Sequence, residues 1–165
     1  MDATMFEGLA LKGDLLCEAV IYVDPETTPG PIGPAAWGNR LIAYIKEGEF
    51  SGPKMKGKVL PGGGDWINLA SERPNALKVN VRAVWETDDG AKLYLSYTGR
   101  IIYPETKDNE EPVDASSLDP SQYYFRVSPT FETSHPKYLW LNDIVCVGVG
   151  RQIEGGVAYR MYHIT

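Results

Sequence analysis

A chain of 165 residues, 43% hydrophobic and 23% charged, is sized for one domain spanning 1–165 with its own core; the composition indicates neither disorder nor a membrane class. A formal net charge of −6 argues against nucleic acid, which needs a basic face to displace phosphate counterions. No window nears the roughly 18 apolar residues of a membrane helix, and MDATMFEGLA has an early acid and no long apolar core. Neither a membrane span nor a signal peptide is expected, and the expected location is cytoplasmic.

In chain order, the first strand candidates are 6–11 and 14–23. Residues 25–38, opening with PETTPGPIGP, are rich in Pro and Gly and read as a surface loop. Strands are expected at 39–50, 54–60 and 64–69, punctuated by SGP at 51–53 and PGGG at 61–64. Lys54, Lys56 and Lys58 alternate, which suits the solvated face of an edge strand.

The clearest period-two pattern follows. Leu77, Val79, Val81, Ala83 and Trp85 alternate with polar residues, then TDDGA leads into Leu93, Leu95 and Tyr97. A two-residue Asp89-Gly90 turn would mix apolar and polar residues on one face. A three-residue Asp88-Asp89-Gly90 loop, with Gly90 left-handed, sets Trp85 against Leu93, Val81 against Tyr97 and Glu86 against Lys92. That register segregates the faces and is preferred. It also puts Arg82 and Tyr97 on opposite faces.

Residues 104–121 are acidic and polar, and a solvated insertion is expected there. The last strand candidates are 122–132, 138–150 and 155–164, with EGG at 154–156 between the final two. Short turns between so many strands suggest a meander closing into an all-β antiparallel barrel of eight or nine strands with little helix.

The chemical motifs are mostly negative. His135 and His163 lack partners at metal spacing, so no metal is expected. There is no Walker motif and no GxSxG elbow; GGG at 62–64 reads as a turn, so no cofactor is expected. Cys17 and Cys146 lie in apolar runs and read as buried free thiols. Ten tyrosines and four tryptophans (Trp37, Trp66, Trp85 and Trp140) are many for this length. For any one of them core packing is the ordinary role; together they suit a pocket for a hydrophobic small molecule.

Polar groups in apolar settings supply the candidate site. Asp65 and Glu132 could move a proton, and Arg82 and Arg40 could hold an oxyanion or polarise a carbonyl. Trp66, Tyr97 and Trp140 are candidate walls, with Asn80 and Asn142 as further substrate contacts. Spacing alone favours solvent for Asn80 and Arg82 and a turn cap for Asp65, since polar strand faces usually meet water.

Three runs carry a family resemblance: GNRLIAYIKEGEFSGPKMKGKVLPGGGDW, KVNVRAVWETDDGAKLYLSYTG and FETSHPKYLWLNDIVCVGVG. Over residues 5–164 the chain resembles the DUF3237 family, also labelled UPF0311, whose members are small β-barrels. The resemblance implies fold more than function. It places Asp in the family pattern where this chain has Asn80, so any acid chemistry at that position would differ here. The expected barrel is similar to allene-oxide-cyclase-like, calycin-like and dirigent-like folds, some of which steer reactive intermediates without a cofactor.

The resulting expectation is a cofactor-independent enzyme on a hydrophobic small molecule. The reaction would be of cyclase, isomerase or lyase type, pericyclic chemistry in specialised metabolism included. The alternatives are a small-molecule-binding protein without turnover and an assembly subunit, and a homodimer is compatible with either.

Overall fold

The structure, a computed structural model, describes residues 3–36, 38–70, 73–105 and 114–165. Trp37 and much of the acidic stretch between 104 and 121 therefore lie outside the described residues. Ten strands form one sheet: β1 (Gly13–Val23), β2 (Gly30–Ala35), β3 (Gly38–Ser51), β4 (Lys56–Val59), β5 (Gly64–Ala70), β6 (Arg73–Thr87), β7 (Lys92–Ile102), β8 (Tyr124–Glu132), β9 (Cys146–Ile153) and β10 (Gly156–Ile164).

Every pairing is antiparallel, and the β1–β3 pairing closes the sheet into a barrel. β4 and β5 share one stave. β4 pairs with the C-terminal part of β3 and of β6, while β5 pairs with their N-terminal halves. The barrel thus has eight staves, with β2 hydrogen-bonded to β3 beyond the ring. The expected all-β barrel with little helix is found: the described helical segments are short 3-10 turns.

Alternation built the core as anticipated. On β6, Val79, Val81, Ala83 and Trp85 are buried; on β7, Leu93, Leu95 and Tyr97 are buried. The β6–β7 register pairs Trp85 with Leu93, Val81 with Tyr97 and Glu86 with Lys92. The turn is tied by Gly90 N–H donating to Thr87 O (2.8 Å) and Thr87 N–H to Ala91 O (3.0 Å), with Gly90 at φ +86°. That left-handed geometry is what glycine adopts freely. Lys56 and Lys58 are exposed cations paired with Asp88 and Glu86. Both cysteines are buried free thiols, and burial pushes Cys17 up to about 12 and Cys146 to about 11. Such thiols stay protonated and unreactive.

Three expectations need correction. Residues 6–11 are not a strand: Ala3–Phe6 is a 3-10 turn and the chain runs irregularly to Gly13. Met5, Phe6, Leu9 and Leu11 are exposed, so their apolar character never meets a partner strand. Conversely, Gly30–Ala35 forms β2 despite its two prolines, because it pairs along one flank only and loses few ladder bonds. Finally, the run 138–150 is divided. Pro136–Asp143 is a 3-10 helix and only Cys146–Ile153 is strand.

That helix closes one end of the barrel. Tyr138 and Leu141 are buried, and Asp89 of the β6–β7 turn anchors the segment. Asp89 accepts from Tyr138 Oη (3.0 Å), Thr87 Oγ1 (2.5 Å) and Lys137 Nζ (2.6 Å). These partners hold its carboxyl well below the usual carboxylate range. Beneath it Trp85 stacks on Phe50 at 4.5 Å and meets Phe131 edge-on at 6.2 Å.

Midway along the barrel, glycines make room for large rings. An added Cβ at Gly150 would sit 2.7 Å from the Phe125 ring, which is almost fully buried. Gly150→Ala is expected to destabilise the protein by about 1–3 kcal/mol through overpacking, measured by urea denaturation. Wild-type stability in that variant would show that the ring is not confined.

Candidate active site

Above the Phe125 level the lumen is open. A cavity of about 180 Å³ lies between the staves, with walls that include Ile21, Ile45, Ile67, Val79 and Ile101. Three oxygen-bearing side chains face it from different staves: Asp65 on β5, Tyr97 on β7 and Tyr159 on β10. Gln152 on β9 lines it as well. Among the described residues, no Lys, Arg or His lines it.

Asp65 enters the lumen because of a break in its stave. Residues 60–63 interrupt the ladder between β4 and β5, and the chain re-enters pairing at Gly64. Asp65 then pairs with Ala43 and Val81, both on the apolar inner face. The β5–β6 ladder pairs Asp65 with Val81 and resumes at Asn68 with Lys78, leaving Trp66 and Ile67 without partners on β6 and Val79 and Asn80 without partners on β5. The Asn80 N–H there donates to Asp65 Oδ1 at 2.8 Å. Arg40 Nη1 donates to the Trp66 carbonyl at 3.0 Å. A carboxylate and a guanidinium thus satisfy two backbone groups at the gap, and the carboxyl is held against the cavity.

Burial pushes Asp65 up from 3.8 to about 7, with the Asn80 N–H opposing the shift. Desolvation is the cause: few water molecules can solvate a carboxylate among aliphatic walls. The tyrosines lie beside it. A hydrogen bond joins the Tyr97 and Tyr159 phenols, and the proximity of Asp65 raises both. Burial is the largest cause for each, so both stay protonated; with the Tyr159 O–H turned to Tyr97, the Tyr97 O–H is the one left to donate. Tyr159 packs edge-on against Tyr97 at 5.8 Å and Phe125 at 5.4 Å, and these rings form the cavity floor.

The nine residues singled out from the sequence separate into three places. Asp65 and Tyr97 share the lumen. Arg40, Trp66, Asn80 and Arg82 lie behind Asp65: Arg82 stands over the Trp66 ring at 5.9 Å and donates to Asn80 Oδ1 at 3.3 Å. The remaining three lie toward the closed end. Glu132 is exposed at the end of β8, Asn142 is bonded to Thr133 N–H, and Trp140 lies under Lys54. Tyr159 and Gln152 were not singled out. Tyr159 alternates with Met161 on β10, which marked its face but not its neighbours; Gln152 had no local signal.

A larger groove of about 770 Å³ crosses the outer surface, and four of its charged groups are paired within it, Glu18 with Arg160 and Lys56 with Asp88. The lumen, apolar with a few convergent polar groups, is the better candidate.

Comparison with known proteins agrees with this architecture. The model of the family described as Protein of unknown function (DUF3237) matches residues 12–164. A UPF0311 protein of Clostridium acetobutylicum is 34% identical over 129 residues, covering 78% of this chain and 79% of that one. Another, from Rhodopseudomonas palustris, is 39% identical over 123 residues, covering 74% and 76%. Among solved structures, a conserved R. palustris protein of unknown function superposes with a TM-score of 0.81 at 26% identity, covering 94% of this chain and 99% of that one. A β-barrel-like protein of Acinetobacter baumannii gives 0.77 at 28% identity, covering 94% and 97%. An enzyme from Penicillium herquei gives 0.68 at 16% identity, covering 94% and 95%, a likeness of fold.

The raised Asp65 has a consequence for stability. The unfolded chain ionises near 3.8, whereas the folded chain holds the proton to about 7. This group's contribution is therefore fully present at low pH and is lost as pH rises from about 4 to about 7, then levels off. Asp65→Asn, which keeps an acceptor for the Asn80 N–H, removes that slope. Relative to wild type it should gain about 2–3 kcal/mol between pH 4 and pH 7.5, discounted for partial exposure and read from urea midpoints. Parallel stability curves would mean that Asp65 ionises normally.

Proposed function

This chain belongs to the DUF3237 family, and we propose that it is a cofactor-independent enzyme that moves a proton within a hydrophobic small molecule to isomerise or cyclise it. The observation that carries the reading is the Asp65 carboxyl, facing an apolar cavity beside the joined phenols of Tyr97 and Tyr159. A carboxyl titrating near 7 is present in both forms at neutral pH, which suits it to take a proton and return it.

The chemistry follows from the placement. Ionised Asp65 removes a proton from the carbon next to a substrate carbonyl. The electron pair of that C–H bond moves onto the carbonyl oxygen as an enolate. Tyr97 donates a hydrogen bond to this oxygen, backed by the Tyr159 O–H it accepts, and the dry walls strengthen it. Protonated Asp65 then returns the proton to a different carbon, shifting a double bond, or to the product of an internal ring closure. No electrons are gained or lost overall. The aliphatic walls confine the substrate to a reactive shape and keep water from the enolate.

In this reading Arg40 is a positioning residue, acting through the Trp66 carbonyl, and Arg82 and Trp66 brace the outer side of the same wall. The likeness to the Penicillium herquei enzyme supports the fold as compatible with catalysis.

The activity can be tested without the natural substrate, by following exchange of the α-hydrogens of a small aryl ketone in D₂O by NMR. Wild type should accelerate exchange, with the rate rising with pH to a plateau above about 7. Asp65→Asn should lose about 100-fold or more, and Tyr97→Phe about tenfold. A binding protein without turnover would show no exchange, and equal rates in wild type and Asp65→Asn would remove Asp65 from the chemistry.

A further inference from the structure

The polar group at the lumen mouth lies outside the reaction scheme. Gln152 lines the cavity from β9. Its backbone N–H donates to Tyr123 Oη at 2.8 Å, and its Nε2 donates to Tyr103 Oη at 2.8 Å. The two tyrosine rings pack at 5.4 Å and flank the ends of β7 and β8. Both amide torsions and the backbone are therefore fixed from outside the cavity. With one Nε2 hydrogen given to Tyr103, the side chain keeps Oε1 as its acceptor. Among the described residues no protein donor reaches it.

The two polar stations of the lumen differ in kind. At the floor Tyr97, backed by Tyr159, is a donor, with Asp65 beside them; at the mouth Gln152 offers an acceptor. The walls between are aliphatic, and among the described residues no cation lines the cavity to meet a ligand anion. Asp65 would repel an anion as well. A cavity of about 180 Å³ has room for one ring bearing a short side chain, since roughly 150 Å³ accommodates benzene.

We propose that the lumen selects an uncharged, one-ring-sized substrate with a carbonyl at one end and a hydroxyl at the other, the hydroxyl donating to Gln152 Oε1 at the mouth. The proposal rests on the lumen being the reaction chamber and adds the class of molecule it takes. Gln152 is its specificity-determining residue. Carboxylates and phosphate esters of the same size are excluded, because burying an unpaired anion there is costly. The same logic separates ligands by a single group: an acceptor at the mouth of an apolar cavity favours the ligand that satisfies it.

Three probes of near-equal size separate these terms: acetophenone, 4-hydroxyacetophenone and 4-acetylbenzoate. Binding is measured by NMR titration on the full chain with Asp65→Asn as background, so that turnover plays no part. The 4-hydroxy compound should bind about three- to tenfold tighter than acetophenone, and 4-acetylbenzoate at least tenfold weaker than the 4-hydroxy compound. Adding Gln152→Met, which keeps length and volume, should erase the hydroxyl preference, read as the ratio of the 4-hydroxyacetophenone and acetophenone affinities. Adding Tyr103→Phe instead keeps Oε1 and should keep most of the preference.

A hydroxyl preference that survives Gln152→Met, or that Tyr103→Phe abolishes as fully, would overturn the role of Oε1. Equal binding of the carboxylate in wild-type protein at pH 8 would overturn the exclusion of anions. Selective binding with no α-hydrogen exchange would leave this inference standing and defeat the catalytic one, so the two can fail separately.

Discussion

One hydrogen bond organises the open half of this barrel: the Asn80 N–H, facing β5, ends on the side chain of Asp65. A backbone donor buried between strands must find an acceptor. Here the acceptor is a carboxyl, whose burial holds its proton to about pH 7 although the N–H it accepts favours the ionised form. Around this bond follow the gap in the β5–β6 ladder, the guanidinium of Arg40 on the Trp66 carbonyl, and a polar group aimed into an aliphatic cavity. A continuous ladder would have satisfied the same N–H and left Asp65 with no anchor.

The barrel divides its labour along its axis. The closed end is packed with Trp85, Phe50, Phe131 and Leu141, and capped by the 3-10 helix that Asp89 anchors. Each such large apolar side chain contributes about 1.5–3 kcal/mol by leaving water. The open end forgoes some of that packing and holds a cavity with four polar groups instead. Stability resides chiefly at one end, and the chemistry is placed at the other. The Tyr97–Tyr159–Phe125 rings form the boundary, belonging to the core by burial and to the site by the hydroxyls they carry.

Much of the fold was legible because period two is a local property. Leu77 to Trp85 and Leu93 to Tyr97 announced both a face and a register, and the turn at Asp88 to Gly90 fixed which residues oppose. The site was legible only in part. Asp65 and Tyr97 stood out by type and position, but a barrel joins staves distant in sequence, and nothing local places Tyr159 or Gln152 beside them. Arg82 illustrates the limit: alternation puts it opposite Tyr97, on the outer side, where it meets Trp66. Local pattern likewise cannot tell that the apolar residues before Gly13 lack a partner strand, or that the aromatic run at Tyr138 caps an end instead of lengthening a stave. Those outcomes depend on where the closed barrel leaves room.

The central claim is that the lumen keeps a carboxylic acid protonated to neutrality. The most direct measurement is a carbon-13 NMR titration of the aspartate side-chain carboxyls, with the Asp65 resonance assigned by its disappearance in Asp65→Asn. The account predicts a midpoint near 7 for that resonance, while exposed aspartates titrate near or below 4. A midpoint near 4 for Asp65 would contradict it, and would make the carboxyl an ordinary ionised strand residue without the means to shuttle a proton.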